Sequence, residues 1–109
     1  MSGKLSTHVL DTAHGKPAHG VKIELWREGR MLKEVRTNTD GRTDEPLLEG
    51  EDLKPGTYQL VFFVREYFSS EKDSFLVEVP VRFCIKNAEA NYHVPLLVSP
   101  WSYTTYRGS

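Results

Sequence analysis

The chain has 109 residues, 39% hydrophobic and 27% charged, with a formal net charge of −1. That length predicts one domain, 1–109, able to bury a core without a structural metal, and the near-neutral charge excludes long-range steering toward nucleic acid or an anionic membrane. The lone cysteine, Cys84, excludes an internal disulfide, and no run approaches the roughly 18 apolar residues of a membrane span.

Residues 5–12, "LSTHVLDT", alternate Leu5, Thr7 and Val9 against Ser6, His8 and Leu10, the two-residue period of a half-buried strand. "AHGKPAHG" follows as a loop rich in Gly and Pro. "VKIELWRE" sets Val21, Ile23 and Leu25 on one face and Lys22, Glu24 and Trp26 on the other, and the "REGR" turn leads on to "MLKEVRTN". "TDGR" is a second turn, centred on Asp40 and Gly41. Residues 43–56 are acidic and turn-rich, with room for a short edge strand. "TYQLVFFV" is dense in β-formers. "REYFSSEKD" breaks the alternation and allows a short helix, with Ser69 or Ser70 as its cap. "VEVPVRFCIK" resumes it, with Val77, Val79, Val81, Phe83 and Ile85 on one side. "NYHVPLLVSPW" and "SYTTYRG" close the chain around a tight turn at Pro100.

Roughly seven or eight strands and at most one short helix predict an all-β sandwich of two packed antiparallel sheets. Pro95, inside a strand, demands an edge, a bulge, or a position whose missing N–H the ladder does not use. The N-terminal "MSGKLSTHV" lacks the apolar core of a secretory signal and the last residues are not a Ser-Lys-Leu address. A cytoplasmic location is expected, with a peroxisomal one left open.

No P-loop, GxGxxG, HExxH or CxxC occurs. His14 and His19 fall in the Gly- and Pro-rich loop and read as solvated, without carboxylate or thiolate partners at metal-ligand spacing. No metal and no cofactor is expected. His8 and His93 instead interrupt strands of Leu, Val, Thr and Tyr. A single strand histidine is commonly structural; two of them, with Arg42 in the "DGR" turn and Arg107 near the end of the chain, also fit chemistry. Imidazole suits proton transfer near neutral pH, and guanidinium grips a planar carboxylate, enolate or imide. Together they suit hydrolysis of a small, flat, polar anion, and the residues alone leave both readings open. Cys84 shares a face with Arg82 and Lys86 and reads as an inert thiol. Trp26, Trp101 and the tyrosines lack the basic stripe of a base-stacking surface and read as core or subunit contacts.

Four stretches in order, "LSTHVLDTAHGKPA", "TNTDGRT", "KPGTYQLVF" and "YHVPLLVSPWSYTTYRGS", resemble the 5-hydroxyisourate hydrolases, the transthyretin-related branch of the transthyretin family. The likeness runs essentially end to end, and the closing Tyr-Arg-Gly-Ser is its most specific mark. It implies a transthyretin-like sandwich of two four-stranded antiparallel sheets with one short helix. It also implies a homotetramer, a dimer of dimers, with sites at the dimer–dimer interface. The implied reaction opens the six-membered ring of 5-hydroxyisourate, giving 2-oxo-4-hydroxy-4-carboxy-5-ureidoimidazoline in urate degradation. The departure lies between "VREYFSSEKD" and "VEVPVRF", where this chain is shorter and less regular than the family pattern; that bears on the helix and its adjoining edge strand.

Carried over residue by residue, the resemblance makes His8, Arg42, His93 and Ser109 catalytic. His8, Arg42, Tyr106, Arg107, Gly108 and Ser109 bind substrate. Arg42 polarises the imide-like oxygens, His93 is assigned as general base on the attacking water, and His8 orients substrate or assists the leaving nitrogen. Tyr106 and Ser109 hold substrate or water. The alternative from another class is a carrier, a transthyretin-like tetramer whose channel binds a small aromatic ligand without turning it over. A sandwich domain used only for protein interaction is the third reading.

Overall fold

The computed structural model describes residues 3–108. One sheet contains β1 (Lys4–Asp11), β2 (Lys16–Pro17), β5 (Leu48–Glu49), β8 (Tyr92–Val98) and β9 (Tyr103–Thr105). The other contains β3 (Lys22–Arg27), β4 (Arg30–Arg36), β6 (Gly56–Phe62) and β7 (Val79–Ile85). Strand order is β2-β1-β8-β9 in the first, with β5 also on β1, and β4-β3-β6-β7 in the second. The alternation seen in the sequence drives this packing. Leu5 and Val9 of β1, Ile23 and Leu25 of β3, Tyr58, Leu60 and Phe62 of β6 and Leu96 of β8 are buried between the sheets. Each such side chain contributes about 1.5–3 kcal/mol by leaving water.

The sandwich and its short helix are as expected, with two refinements. The first sheet gains a fifth strand, the two-residue β5, and its central pair β1–β8 is parallel rather than antiparallel. Parallel strands need a long crossover, and here the whole second sheet lies between them in sequence.

The helix differs from its expected form. α1 spans only Val64–Tyr67, starts at Phe63 without a side-chain cap, and ends at Phe68, so Ser69 and Ser70 lie beyond it. Burial of Val64 and Phe68 holds that turn in place where a capping hydroxyl does not. Val77 also falls outside β7 and is 53% exposed. The Phe75 and Leu76 N–H groups both donate to the Pro100 carbonyl, each at 2.9 Å, so this segment is tied to the β8–β9 turn and not to the β6 ladder.

Pro95 sits in central strand β8 and satisfies the third of its permitted conditions. Leu96 pairs with Thr105, and the same register resumes at the His93–Gly108 bridge. That register sets Pro95 opposite Tyr106, one residue past the end of β9 at Thr105, so the ladder there does not use the N–H that proline lacks. The Thr105 hydroxyl donates to the Pro95 carbonyl at 2.8 Å instead.

His14 is not simply solvated. Its Nδ1 meets the buried Asp11 carboxylate at 2.8 Å, and the Tyr67 hydroxyl donates to the same oxygen at 2.8 Å. Burial pushes the Asp11 pKa up, but the hydrogen bonds from Tyr67 and His14 outweigh it and leave the carboxyl below its usual range. Burial and the same contact push Tyr67 up to about 12. This cluster fastens the end of β1 to α1.

Candidate active site

The face of the first sheet that points away from the core carries the candidate residues. In β1, Leu5, Thr7, Val9 and Asp11 are buried, which turns Ser6, His8 and Leu10 outward. The parallel register pairs Ser6 with His93 and His8 with Pro95. On the far side of His93 the chain returns as Gly108, and on the far side of His8 it returns as Arg42. Directly paired residues share a face, so two neighbouring rows cross the sheet: Gly108, His93 and Ser6 in one, Pro95, His8 and Arg42 in the next. Adjacent strands lie about 4.8 Å apart and alternate residues of one strand roughly 7 Å apart, so the rows span the dimensions of a small planar molecule.

The turn that delivers Arg42 is built by its own sequence. The Asn38 side-chain oxygen accepts from the Asp40 and Arg42 N–H groups at 2.9 and 3.1 Å. The Asn38 N–H donates to the Arg42 carbonyl at 2.7 Å. Gly41 has φ 75°, and a Cβ there would lie 2.4 Å from the Val9 carbonyl oxygen, so only glycine fits. The Gly41 carbonyl in turn accepts from Val9 N–H at 2.8 Å, pinning the turn onto β1. Arg42 is exposed and lines a cleft of roughly 370 Å³ with Lys4, Ser6, Asn91 and His93. That volume is at the lower end of small-molecule sites, about 300–1,000 Å³.

The two histidines are held differently. His8 Nε2 lies 2.9 Å from the Asp40 carbonyl, which can only accept, so Nε2 carries the proton and a neutral His8 has its lone pair on Nδ1. His93 places Nδ1 at 2.9 Å from the Ser6 hydroxyl. Burial, then the nearby charges of Arg42 and His8, hold the His93 pKa below the ordinary histidine value. His93 is therefore neutral at neutral pH, the state a general base requires.

Near its end the chain returns to this face at Gly108. Its N–H donates to the His93 carbonyl at 2.7 Å, and a Cβ at Gly108 would come 2.7 Å from His93 Cδ2. Arg107 stacks its guanidinium 4.3 Å from the Tyr92 ring centre and donates to the Asn91 carbonyl at 3.1 Å. Arg107 and Tyr106 line a separate groove with Val81, Phe83, Tyr92 and Val94. The structure thus brings His8, Arg42, His93 and Gly108 together and sets Tyr106 and Arg107 along the adjoining sandwich edge. Ser109 lies outside the described residues.

Sequence reasoning missed Ser6, Asn91, Lys4 and the Asp40 carbonyl. Ser6 was legible in part, since alternation puts it on the face of His8; its pairing with His93 needs the register of β1 against β8. Among the described residues no group of three or more His, Cys, Asp or Glu side chains gathers to hold a metal, and no helix is long and apolar enough to cross a membrane.

The sequence profile of the HIUase/Transthyretin family matches residues 5–108. The 5-hydroxyisourate hydrolase of Pseudomonas aeruginosa is 53% identical over 116 aligned residues, covering 98% of this chain and 92% of that protein. The crystal structure of (S)-allantoin synthase superposes with a TM-score of 0.93 at 44% identity; the match covers 99% of this chain and 44% of that chain, so this chain spans less than half of that protein. The structure of Klebsiella pneumoniae 5-hydroxyisourate hydrolase superposes with a TM-score of 0.88 at 34% identity, covering 98% and 99% of the two chains. A likeness of this extent, together with the paired rows on β1 and β8, makes this chain a member of the HIUase/Transthyretin family.

Proposed function

We infer that this chain is a hydrolase that opens the cyclic amide of 5-hydroxyisourate, in urate degradation. The observation that carries the reading is the convergence of His8, Arg42, His93 and Gly108, four residues from distant parts of the sequence, on two adjacent rows of one sheet face.

Arg42 binds the imide-like oxygens with its planar fork and stabilises the negative charge that grows on the carbonyl oxygen as water adds. His93, neutral and with Nε2 unengaged by other described residues, takes the proton from that water. The ring C–N bond then breaks, the nitrogen leaves with a proton, and a carboxylate product remains. His8 orients the substrate through Nδ1 or relays the proton to the nitrogen. Gly108 bounds the cleft beside His93; Tyr106, Arg107 and Ser109 are kept in the proposed binding set on the family resemblance alone. No covalent intermediate is required.

The cleft is open to solvent in the single chain, and a water-shielded site strengthens every charge interaction within it. We place this face against another copy in a homotetramer, a dimer of dimers, with the sites at the dimer–dimer contact. The support is the exposure of Arg42 and the partial exposure of Ser6, His8 and His93 on this face, polar groups whose charge interactions strengthen when another copy shields them from water.

The test is to generate 5-hydroxyisourate in situ with urate oxidase and to follow the loss of its ultraviolet absorbance against the unaided decay. Wild-type protein accelerates that decay, and His93→Ala lowers kcat by about 10²-fold or more while the oligomer persists. Near-normal turnover in His93→Ala would remove His93 from the mechanism; no acceleration by the wild type would remove the activity.

A further inference from the structure

The His93 ring is gripped on both sides. Nδ1 and Cδ2 are the two ring atoms bonded to Cγ. Ser6 Oγ meets the first at 2.9 Å, and the Gly108 backbone closes on the second, leaving no room for a Cβ. Only the edge formed by Cε1 and Nε2 remains for a ligand. Ser6 reaches Nδ1 because the parallel register sets the two residues directly side by side on the outward face.

We propose that Ser6 is a positioning residue for His93, its hydroxyl oxygen accepting from Nδ1–H and so holding the neutral ring in the tautomer whose lone pair sits on Nε2. The proposal rests on the reading of His93 as the base. The opposite polarity, with Ser6 O–H donating to Nδ1, places the ring proton on Nε2 and spends the lone pair on Ser6, leaving nothing basic at the open edge. His8 is set more strictly, by the Asp40 carbonyl, which admits one tautomer only, whereas the Ser6 hydroxyl can bond Nδ1 with either polarity and is assigned here as the acceptor.

The charged and titratable groups around the ring are Arg42 and His8 across the sheet face, Lys4 in the cleft, and Arg107 beyond Gly108. None of these contacts Nδ1 among the described residues, so removal of the Ser6 hydroxyl acts on the tautomer directly.

Ser6→Ala and Ser6→Thr test the assignment, with kcat and KM measured from about pH 5 to about pH 9. Long-range 1H–15N NMR reads the His93 tautomer in wild type and in Ser6→Ala. Ser6→Ala should lower kcat by roughly 10- to 100-fold, the usual range for loss of a residue that orients a functional histidine, with KM within about twofold. Ser6→Thr, which keeps the hydroxyl on an outward half-exposed face, should recover most of the loss. Wild-type His93 should show Nδ1–H, and Ser6→Ala a mixture. A wild-type ring protonated at Nε2, or unchanged turnover and tautomer in Ser6→Ala, would overturn the proposal. Were the wild type to leave 5-hydroxyisourate untouched, the functional reading would fall, and the NMR comparison would still decide the role of Ser6.

Discussion

Gly108→Ala isolates the contact between the end of the chain and His93. The new methyl carbon would stand 2.7 Å from His93 Cδ2 and 3.3 Å from its Cβ and Cγ. Carbon atoms pack at roughly 3.5–4.0 Å, so the ring or the chain end must retreat by about 1 Å. The ring cannot yield without lengthening the Ser6 bond at Nδ1, and the chain cannot yield without opening the Gly108–His93 hydrogen bond. Either retreat displaces a reacting group by a distance that typically costs about 10²-fold in rate. We expect kcat/KM to fall by about that factor, roughly 2.7 kcal/mol of transition-state stabilisation. Contacts at a chain end open at little global cost, so the unfolding temperature should stay within about 2 °C. The in situ urate oxidase assay measures the first quantity and a thermal melt the second. A Gly108→Ala protein with wild-type kcat/KM would mean that the chain end and the His93 ring do not act as a unit.

Arg42→Lys keeps the charge and loses the planar fork, so kcat/KM should drop by at least about tenfold; unchanged kinetics would leave Arg42 as a turn residue. His93 should titrate below its ordinary value of about 6.5, because burial first and then Arg42 and His8 disfavour the imidazolium. The neutral ring is the active form, so activity holds above that lowered pKa and is lost as pH falls through it; an NMR titration placing His93 above about 6.5 would contradict this. Tyr67→Phe removes a donor from the buried Asp11 carboxylate and should destabilise by about 1.5–3 kcal/mol in denaturant unfolding near neutral pH, with activity intact. Because the folded Asp11 pKa is depressed, its contribution is present above the unfolded value of about 3.9 and is lost as pH falls through the folded one, so the penalty should shrink in acid.

Local pattern made much of this protein readable from its residues. Alternation along β1 and β8 identified the strands and put His8 with Ser6, and His93 with Pro95, on the outward faces. The "TDGR" turn announced Arg42, and of the closing Tyr-Arg-Gly-Ser the structure brings Gly108 against His93. The start of α1 was misjudged because burial of Val64, not a serine cap, decides it. His14 read as solvated although its partner Asp11 lies three positions away, because the burial of Asp11 and its second donor, Tyr67, 56 positions on, belong to the tertiary structure. Those failures share a cause with the deeper one. A two-residue period states which way a side chain faces but not which strand lies beside it, and Ser6 and His93 are separated by 87 positions. Sequence by itself therefore determined the strands, their buried faces and the chemical groups available. Only the tertiary structure decided that β1 and β8 run parallel in the register that sets Ser6 beside His93, because strand pairing is settled by how two whole sheets bury their apolar faces together, a property no local window contains.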